Sequence, residues 1–135
     1  MPIYKTRWFD RWARKERLTR FGLCAAVDEM ANGLFDADLG SGLFKKRSGR
    51  SRQGKRGGFR VLVATNRAGR WIFIYGFSKN QRANIETNET DALKRLALHL
   101  SSMAPDALRR AADAGELIEV NCDGQEERSD TVGCS

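Results

Sequence analysis

The sequence predicts an α+β fold, with a small antiparallel or mixed sheet of about four strands. Two N-terminal helices are expected on one face of the sheet, and further helices at the C-terminal end. Two adjacent runs, 59–65 and 71–77, are rich in β-branched and aromatic residues, and apolar residues recur at three- and four-residue steps on either side of them. The 135 residues fit one domain, which we expect over 1–122, with a disordered tail at 123–135.

The N-terminal part begins with a short strand at 3–6. A helix then carries Trp8, Phe9 and Trp12 at helical spacing, which indicates packing against the core. A second helix is predicted over 19–32, because apolar residues recur along one side and Gly33 is a typical C-terminal stop. The glycines and aspartates of 34–42 indicate a connection.

The middle of the chain predicts strands at 43–47, 59–65 and 71–77. Asn66 to Arg70 has the length and chemistry of a hairpin loop, and 48–58 that of a flexible cationic loop. Helices are expected at 89–102 and 105–114, with Pro105 in the first turn and Gly115 at the end. A last strand can follow at 117–120.

Cysteine usage predicts neither a disulfide framework nor a zinc site. Cys24, Cys122 and Cys134 are odd in number and form no C-x-x-C pair, so Cys24 is interpreted as a small buried apolar residue. No apolar run has the length of a membrane span, and the N-terminus carries no export pattern. We therefore expect a cytoplasmic protein that needs no cofactor and does not enter a membrane.

Charge is divided unevenly along the chain, whose net charge is +7. Residues 39–85 hold half of the 24 basic residues and no Asp or Glu. Such a segment attracts a polyanion through counterion release, which favours nucleic acid as the partner. A solvated basic surface is the alternative, but surfaces of that kind usually mix both signs.

The hairpin and its neighbouring strand gather several of these cations. If 43–47 pairs beside 59–65, Lys45 and Arg47 point to the same face as Arg60, because alternate residues share a face. Lys79 then lies near Arg60 at the end of the hairpin, and Arg82 closes the rim. One face of the sheet is therefore expected to be cationic.

Clustered cations permit RNA cleavage without histidine. They can stabilise charge on a phosphorane-like transition state, and a lysine among like charges can act as the base for a 2′-hydroxyl that attacks the adjacent phosphate. No metal is needed for this step. The same residues can also bind phosphate without catalysis, and an exposed Trp71 or Tyr75 can stack on a nucleotide.

Three motifs carry a resemblance to a known family. Their sequences are KKR at 45–47, GKRGGFR at 54–60 and YGFSKN at 75–80. In order and spacing they resemble the RelE/HigB toxins, particularly the HigB-like branch, over roughly residues 5–102. One departure is that no tyrosine follows Tyr75, whereas RelE uses a tyrosine late in the fold; Glu86 lies near that place.

The resemblance implies a toxin of a type II toxin-antitoxin module that cuts messenger RNA on the ribosome. A cognate antitoxin, expected to be of the helix-turn-helix type, would hold it inactive. The residues that match the active face are Lys45, Arg47, Arg60, Lys79 and Arg82. RNA-binding residues are expected to be Arg50, Arg52, Lys55, Arg56 and Tyr75.

Two other functions stay open from the sequence. A ParE-like poison of DNA gyrase would share the fold and the antitoxin but would cut no RNA. A non-enzymatic nucleic-acid-binding module would bind with a steep salt dependence and would not arrest growth.

Overall fold

The computed structural model describes residues 2–48, 58–66, 69–82 and 84–122 of the chain. Within these residues it contains six strands and four helices. The strands are β1 (Ile3–Thr6), β2 (Ala37–Gly40), β3 (Leu43–Ser48), β4 (Phe59–Thr65), β5 (Trp71–Ser78) and β6 (Leu117–Glu119). The helices are α1 (Arg7–Lys15), α2 (Arg20–Ala31), α3 (Thr87–Ser101) and α4 (Pro105–Asp113). The tail predicted at 123–135 lies outside the described residues.

All six strands form one mixed sheet in the order β2-β3-β4-β5-β1-β6. The pairing of β1 with β5 is parallel, and every other neighbouring pair is antiparallel. The α+β class is confirmed, but the sheet has two strands more than expected. The additional edge strand β2 falls in the segment that was interpreted as a connection, because its glycines and aspartates resemble loop residues. Backbone with positive φ at Gly40, Ser41 and Gly42 instead makes a tight turn between β2 and β3.

Apolar cores fill both faces of the sheet. Helices α1 and α2 pack on one face over Val61, Val63 and Phe73, as expected for the N-terminal helices. Helices α3 and α4 cover part of the other face over Leu43, Leu62 and Ile72. Since alternate strand residues point to opposite faces, near-continuous apolar strands are what a sheet buried on both sides requires.

Close packing of α1 on β5 depends on a glycine. A Cβ atom added to Gly76 would lie 2.2 Å from the Trp12 ring, far inside van der Waals contact. The indole therefore rests directly on the strand backbone and meets Phe59 edge to face at 5.6 Å. Thr6 caps the start of this helix by accepting the backbone N–H of Phe9 at 3.1 Å. The predicted packing role of Phe9 and Trp12 is confirmed.

Helix α3 is fixed at both ends by side chains. At its start, Glu86 and Glu89 form a capping box. At its end, the buried guanidinium of Arg70 donates to the carbonyl oxygens of Leu100 at 3.0 Å and Met103 at 2.6 Å. The last carbonyls of a helix have no i+4 partner within it, and a cation there also complements the helix dipole.

A disulfide joins Cys24 in α2 to Cys122 beyond β6, with the two Cα atoms 5.9 Å apart. The expectation of no disulfide, with Cys24 as a small buried apolar residue, is therefore wrong. The antiparallel pairing of β6 with β1 returns the chain to α2, and the sequence separation of 98 hid this proximity in the sequence. The bridge secures the β6 edge of the sheet.

None of the described helices is long and apolar enough to span a membrane.

Breaking this bridge should destabilise the protein. Closing a loop of about 100 residues lowers the entropy of the unfolded chain, so reduction should lower the free energy of unfolding by about 3–5 kcal/mol. Denaturant unfolding of a Cys134→Ser protein, with and without reductant, measures the difference. A Cys122→Ser variant in the same background should not respond to reductant. Equal midpoints for the oxidised and reduced protein would show that the bridge adds no stability.

Candidate nucleic-acid interface

Two rows of side chains cross the face of the sheet that carries α3 and α4. In the first row, Lys45 of β3 pairs with Leu62 of β4, and Leu62 pairs with Tyr75 of β5. In the second, Arg47 pairs with Arg60, and Arg60 pairs with Phe77. Because cross-strand partners share a face, Lys45, Arg47 and Arg60 lie together, as the sequence predicted. We call the surface formed by these three residues and Arg82 the cationic end of the sheet.

This face as a whole is not cationic, which corrects the expectation. The apolar residues Leu43, Leu62, Ile72 and Ile74 share it and are buried under α3 and α4. The sequence does not show which face of the sheet the C-terminal helices cover, so this face was expected to be open. The cations occupy only the part that those helices leave accessible.

A β-bulge directs Tyr75 toward the cationic end. The register pairs Val63 with Phe73 but Leu62 with Tyr75, so Ile74 is the extra residue. A bulge of this kind turns the side chain that follows it. The phenol oxygen of Tyr75 consequently accepts a hydrogen bond from Arg82 at 3.4 Å.

Aromatic rings line the edge of β5 beside Tyr75. Strand β1 pairs with β5 only as far as Phe73, and α1 then begins. Trp8 of that helix stacks on Tyr75, with ring centroids 4.7 Å apart and 18° between planes, and keeps 40% of its surface exposed. Trp8 is thus not the core residue that was expected. Trp71 is 2% exposed and cannot stack on a nucleotide.

Arg82 is held by the start of α3. Its guanidinium makes two hydrogen bonds to the Glu89 carboxylate, at 2.5 and 3.3 Å, and its Nε donates to the Asn84 carbonyl at 3.0 Å. The hydrogen bond that Arg82 donates to Glu89 raises the pKa of Arg82 above its ordinary value. The hydrogen bonds from Arg82 and from the Glu86 backbone lower the pKa of Glu89. Both groups are therefore ionised near neutral pH.

Arg60 has an acid partner of its own. Its Nε lies 3.0 Å from Oδ2 of Asp36, a residue just before β2 whose backbone N–H bonds the Lys45 carbonyl at 2.8 Å. Lys45 donates to the side-chain oxygen of Asn84 at 3.4 Å. Arg47 is exposed and makes no ion pair with an acid in the described part of the chain. The cationic end therefore presents one unpaired guanidinium beside a paired one.

The other predicted residues fall elsewhere. The backbone N–H of Lys79 donates to the Gly58 carbonyl at 3.2 Å, so this exposed lysine lies beside the start of β4, as expected. Arg50, Arg52, Lys55 and Arg56 lie outside the described residues. Two further cations of the acid-free segment serve the fold, since Arg70 caps α3 and Lys46 forms a 2.7 Å ion pair with Glu29 of α2 on the opposite face.

Sequence reasoning missed Asp36, Asn84 and Glu89. A local signal existed for Glu89, because Glu86-x-x-Glu89 before an apolar run is typical of a capping box. Asp36 carried no such signal, since its contact with Arg60 depends on the unforeseen strand β2.

The arrangement can bind anions, and it offers the contacts that a phosphate backbone with neighbouring bases can use. Arginine offers a planar fork of donors that matches phosphate, and the neighbouring Trp8 and Tyr75 rings can stack on bases. Across the described ranges, no group of three or more His, Cys, Asp or Glu residues is placed to hold a metal ion.

Comparison with known protein families gives a match over most of the chain. A family model described as the RelE toxin of the RelE / RelB toxin-antitoxin system matches residues 1–120. No curated protein matches the chain.

The pKa of Glu89 tests the contact with Arg82. In an Arg82→Gln variant the pKa of Glu89 should rise toward its ordinary value, because the largest influence that lowers it is lost. A carboxyl carbon NMR titration measures this pKa. Since the folded-state pKa is depressed, the pair stabilises the protein above the unfolded pKa of glutamate and loses this effect as pH falls through the lowered value.

Asp10 supplies the control for that titration. Its burial alone would raise its pKa, but the hydrogen bond from Lys5 and the charges of Lys5 and Arg14 outweigh burial and lower the pKa. This pKa should not move in Arg82→Gln. An unchanged Glu89 pKa in the variant would contradict the described ion pair.

Proposed function

Because the chain belongs to the RelE toxin family, we propose that this toxin is a ribosome-dependent endoribonuclease that binds messenger RNA at the cationic end of the sheet. Family membership makes it the toxin of a toxin-antitoxin system with a cognate antitoxin. The proposal includes messenger RNA as the substrate, cleavage on the ribosome and the cytoplasm as the place of action. So is an antitoxin of the helix-turn-helix type.

The observation that carries the proposal is the Arg47–Arg60 pair. Like charges directly opposite each other in a sheet are destabilising, and Asp36 pairs with only Arg60 of the two arginines. A phosphate between or beside the two guanidinium groups would relieve the repulsion and accept hydrogen bonds from both. Lys45 and Arg82 extend the positive field along the same face.

The proposed step breaks the RNA backbone without a metal ion. A base removes the 2′-hydroxyl proton, the 2′-oxygen attacks the adjacent phosphorus, and the bond from phosphorus to the 5′-oxygen breaks. A proton passes to the departing 5′-oxygen, which leaves a 2′,3′-cyclic phosphate and a 5′-hydroxyl end. Arg60 and Arg82 are proposed to stabilise the negative charge that develops on the phosphate oxygens.

A lysine is proposed as the base. Lys45 faces the same surface as Arg60, and Lys79 lies at the end of the hairpin, so each is placed to approach a phosphate held there. The two amines differ in setting, since Lys45 is tied to Asn84 whereas Lys79 is exposed. Comparing their alanine variants over a range of pH separates the two candidates.

The proposed function predicts a loss of cleavage when a cation in the cationic end, or Lys79 beside it, is removed. Inducing the wild type should arrest growth and produce messenger RNA 5′ ends phased with codons. Arg60→Ala and Lys79→Ala should lower cleavage by about 100-fold or more, the usual effect of removing one transition-state donor. Growth curves and mapped 5′ ends measure both effects. Arg110→Ala removes an exposed charge from α4 and should cleave like the wild type.

Other outcomes would overturn the proposal. DNA breaks with an SOS response and intact messenger RNA would identify a gyrase poison. Unchanged growth and unchanged RNA, with soluble folded protein that binds nucleic acid, would identify a binding module. Equal cleavage by wild type and Arg60→Ala would move the active site away from the cationic end of the sheet.

A further inference from the structure

Two of the arginines proposed to meet the phosphate, Arg60 and Arg82, already hold a carboxylate. Asp36 lies 3.0 Å from Nε of Arg60, and Glu89 bonds both terminal nitrogens of Arg82. We propose that Asp36 and Glu89 are intramolecular competitors that occupy the phosphate positions on these arginines, so that the toxin binds free RNA weakly. This inference rests on the proposed function and adds a regulation of the same site.

The position of the two acids along the chain supports this role. Residues 39–85 contain no acid, yet Asp36 lies just before that segment and Glu89 shortly after it. In the folded protein, both acids lie next to cations of that segment. The positive field of the segment is thereby reduced at the two arginines, while Arg47 between β2 and β4 stays unpaired among the described residues.

Carboxylate and phosphate compete for the same donors. Both accept the guanidinium N–H groups in similar planar, charge-assisted geometry, so one must leave before the other binds. The Asp36 side chain is 31% exposed and that of Arg60 only 14%, which places the acid on the solvent side of the pair. A phosphate therefore reaches Nε of Arg60 by replacing Asp36.

Release of the acids does not require the fold to open. Asp36 remains anchored through its backbone bond to Lys45, so rotation of its side chain is sufficient. Glu89 remains in its helix and keeps the N–H of Glu86 as a partner at 2.9 Å. After release, Arg82 still has the Tyr75 hydroxyl and the Asn84 carbonyl to orient it.

The consequence is selection for RNA that a second surface holds in place. Exposed ion pairs are weak, so many simultaneous phosphate contacts displace both acids readily. A free strand that makes one or two phosphate contacts gains less binding free energy, because each contact requires an existing ion pair to break. RNA bound on a ribosome fits this requirement better than free RNA.

Salt-dependent RNA binding by the full chain tests the inference. The probe is a fluorescein-labelled single-stranded RNA of about twelve nucleotides, 2′-O-methylated throughout so that it cannot be cleaved. Anisotropy gives Kd from about 50 to 200 mM salt. Asp36→Asn and Glu89→Gln should each bind about fivefold to tenfold tighter at the lowest salt and steepen the slope of log K against log salt by about 0.7, the value for one added phosphate contact.

Two kinds of control separate competition from a general change in charge. Asp38→Asn and Asp91→Asn remove nearby acids that the structure does not pair with Arg60 or Arg82. Each should show less than half of the gain in RNA affinity. The double variant Asp36→Asn/Arg60→Ala should bind no tighter than Arg60→Ala. A gain that persists without Arg60 would overturn the competition.

The outcomes distinguish this inference from the proposed function. If Arg60→Ala weakens binding but folded Asp36→Asn and Glu89→Gln do not strengthen it, the competition is wrong and the RNA site stands. If Arg60→Ala changes neither binding nor cleavage, the RNA site itself is wrong. Should the variants not fold, the Arg60 Nε–H resonance of the wild type decides: it should shift on RNA binding, and no shift at saturation would overturn the inference.

Discussion

The register between β3 and β4 is the constraint on which the rest of the site depends. It sets Arg47 directly opposite Arg60 and places Lys45 one row away, beside Leu62. A slip of one residue would turn these side chains to the α1–α2 face and bring Lys46 and Phe44 to the other. The register is secured by burial, since Leu43 and Leu62 belong to one core while Phe44 and Val61 are buried on the opposite face. The cationic end of the sheet therefore depends on apolar residues that never meet a ligand.

Helix α3 connects this site to the fold. Arg70 binds the carbonyl end of α3. The helix packs on Leu62 and Ile72, and this packing brings Glu89 at its other end to Arg82. Arg70 and Arg82, both from the acid-free segment, thus position the helix that covers part of the sheet. Of the described cations in that segment, Arg70 and Lys46 contribute to structure, whereas Lys45, Arg47, Arg60, Lys79 and Arg82 contribute to the surface. Charge counting alone cannot make that division.

Much of the fold followed from the sequence, because strands β4 and β5 and helices α2 and α3 carry strong local patterns. The shared face of Lys45, Arg47 and Arg60 was also predictable, since alternation within a strand is a local rule. What escaped prediction depends on contacts distant in sequence. The Cys24–Cys122 bridge follows from the return of β6, and the Asp36–Arg60 pair follows from β2. Trp8 was assigned to the core because helical spacing cannot show that β1 ends early and leaves the β5 edge uncovered.

The proposed function requires that RNA phosphate binds at the cationic end of the sheet. A crystal structure of the toxin with a short 2′-O-methylated RNA tests it most directly. We expect a phosphate within hydrogen-bond distance of the Arg60 and Arg82 guanidinium groups, about 2.7–3.0 Å from their nitrogens, with Asp36 released from Arg60 and Glu89 released from Arg82. A well-ordered RNA bound on another surface, with both ion pairs intact, would contradict it.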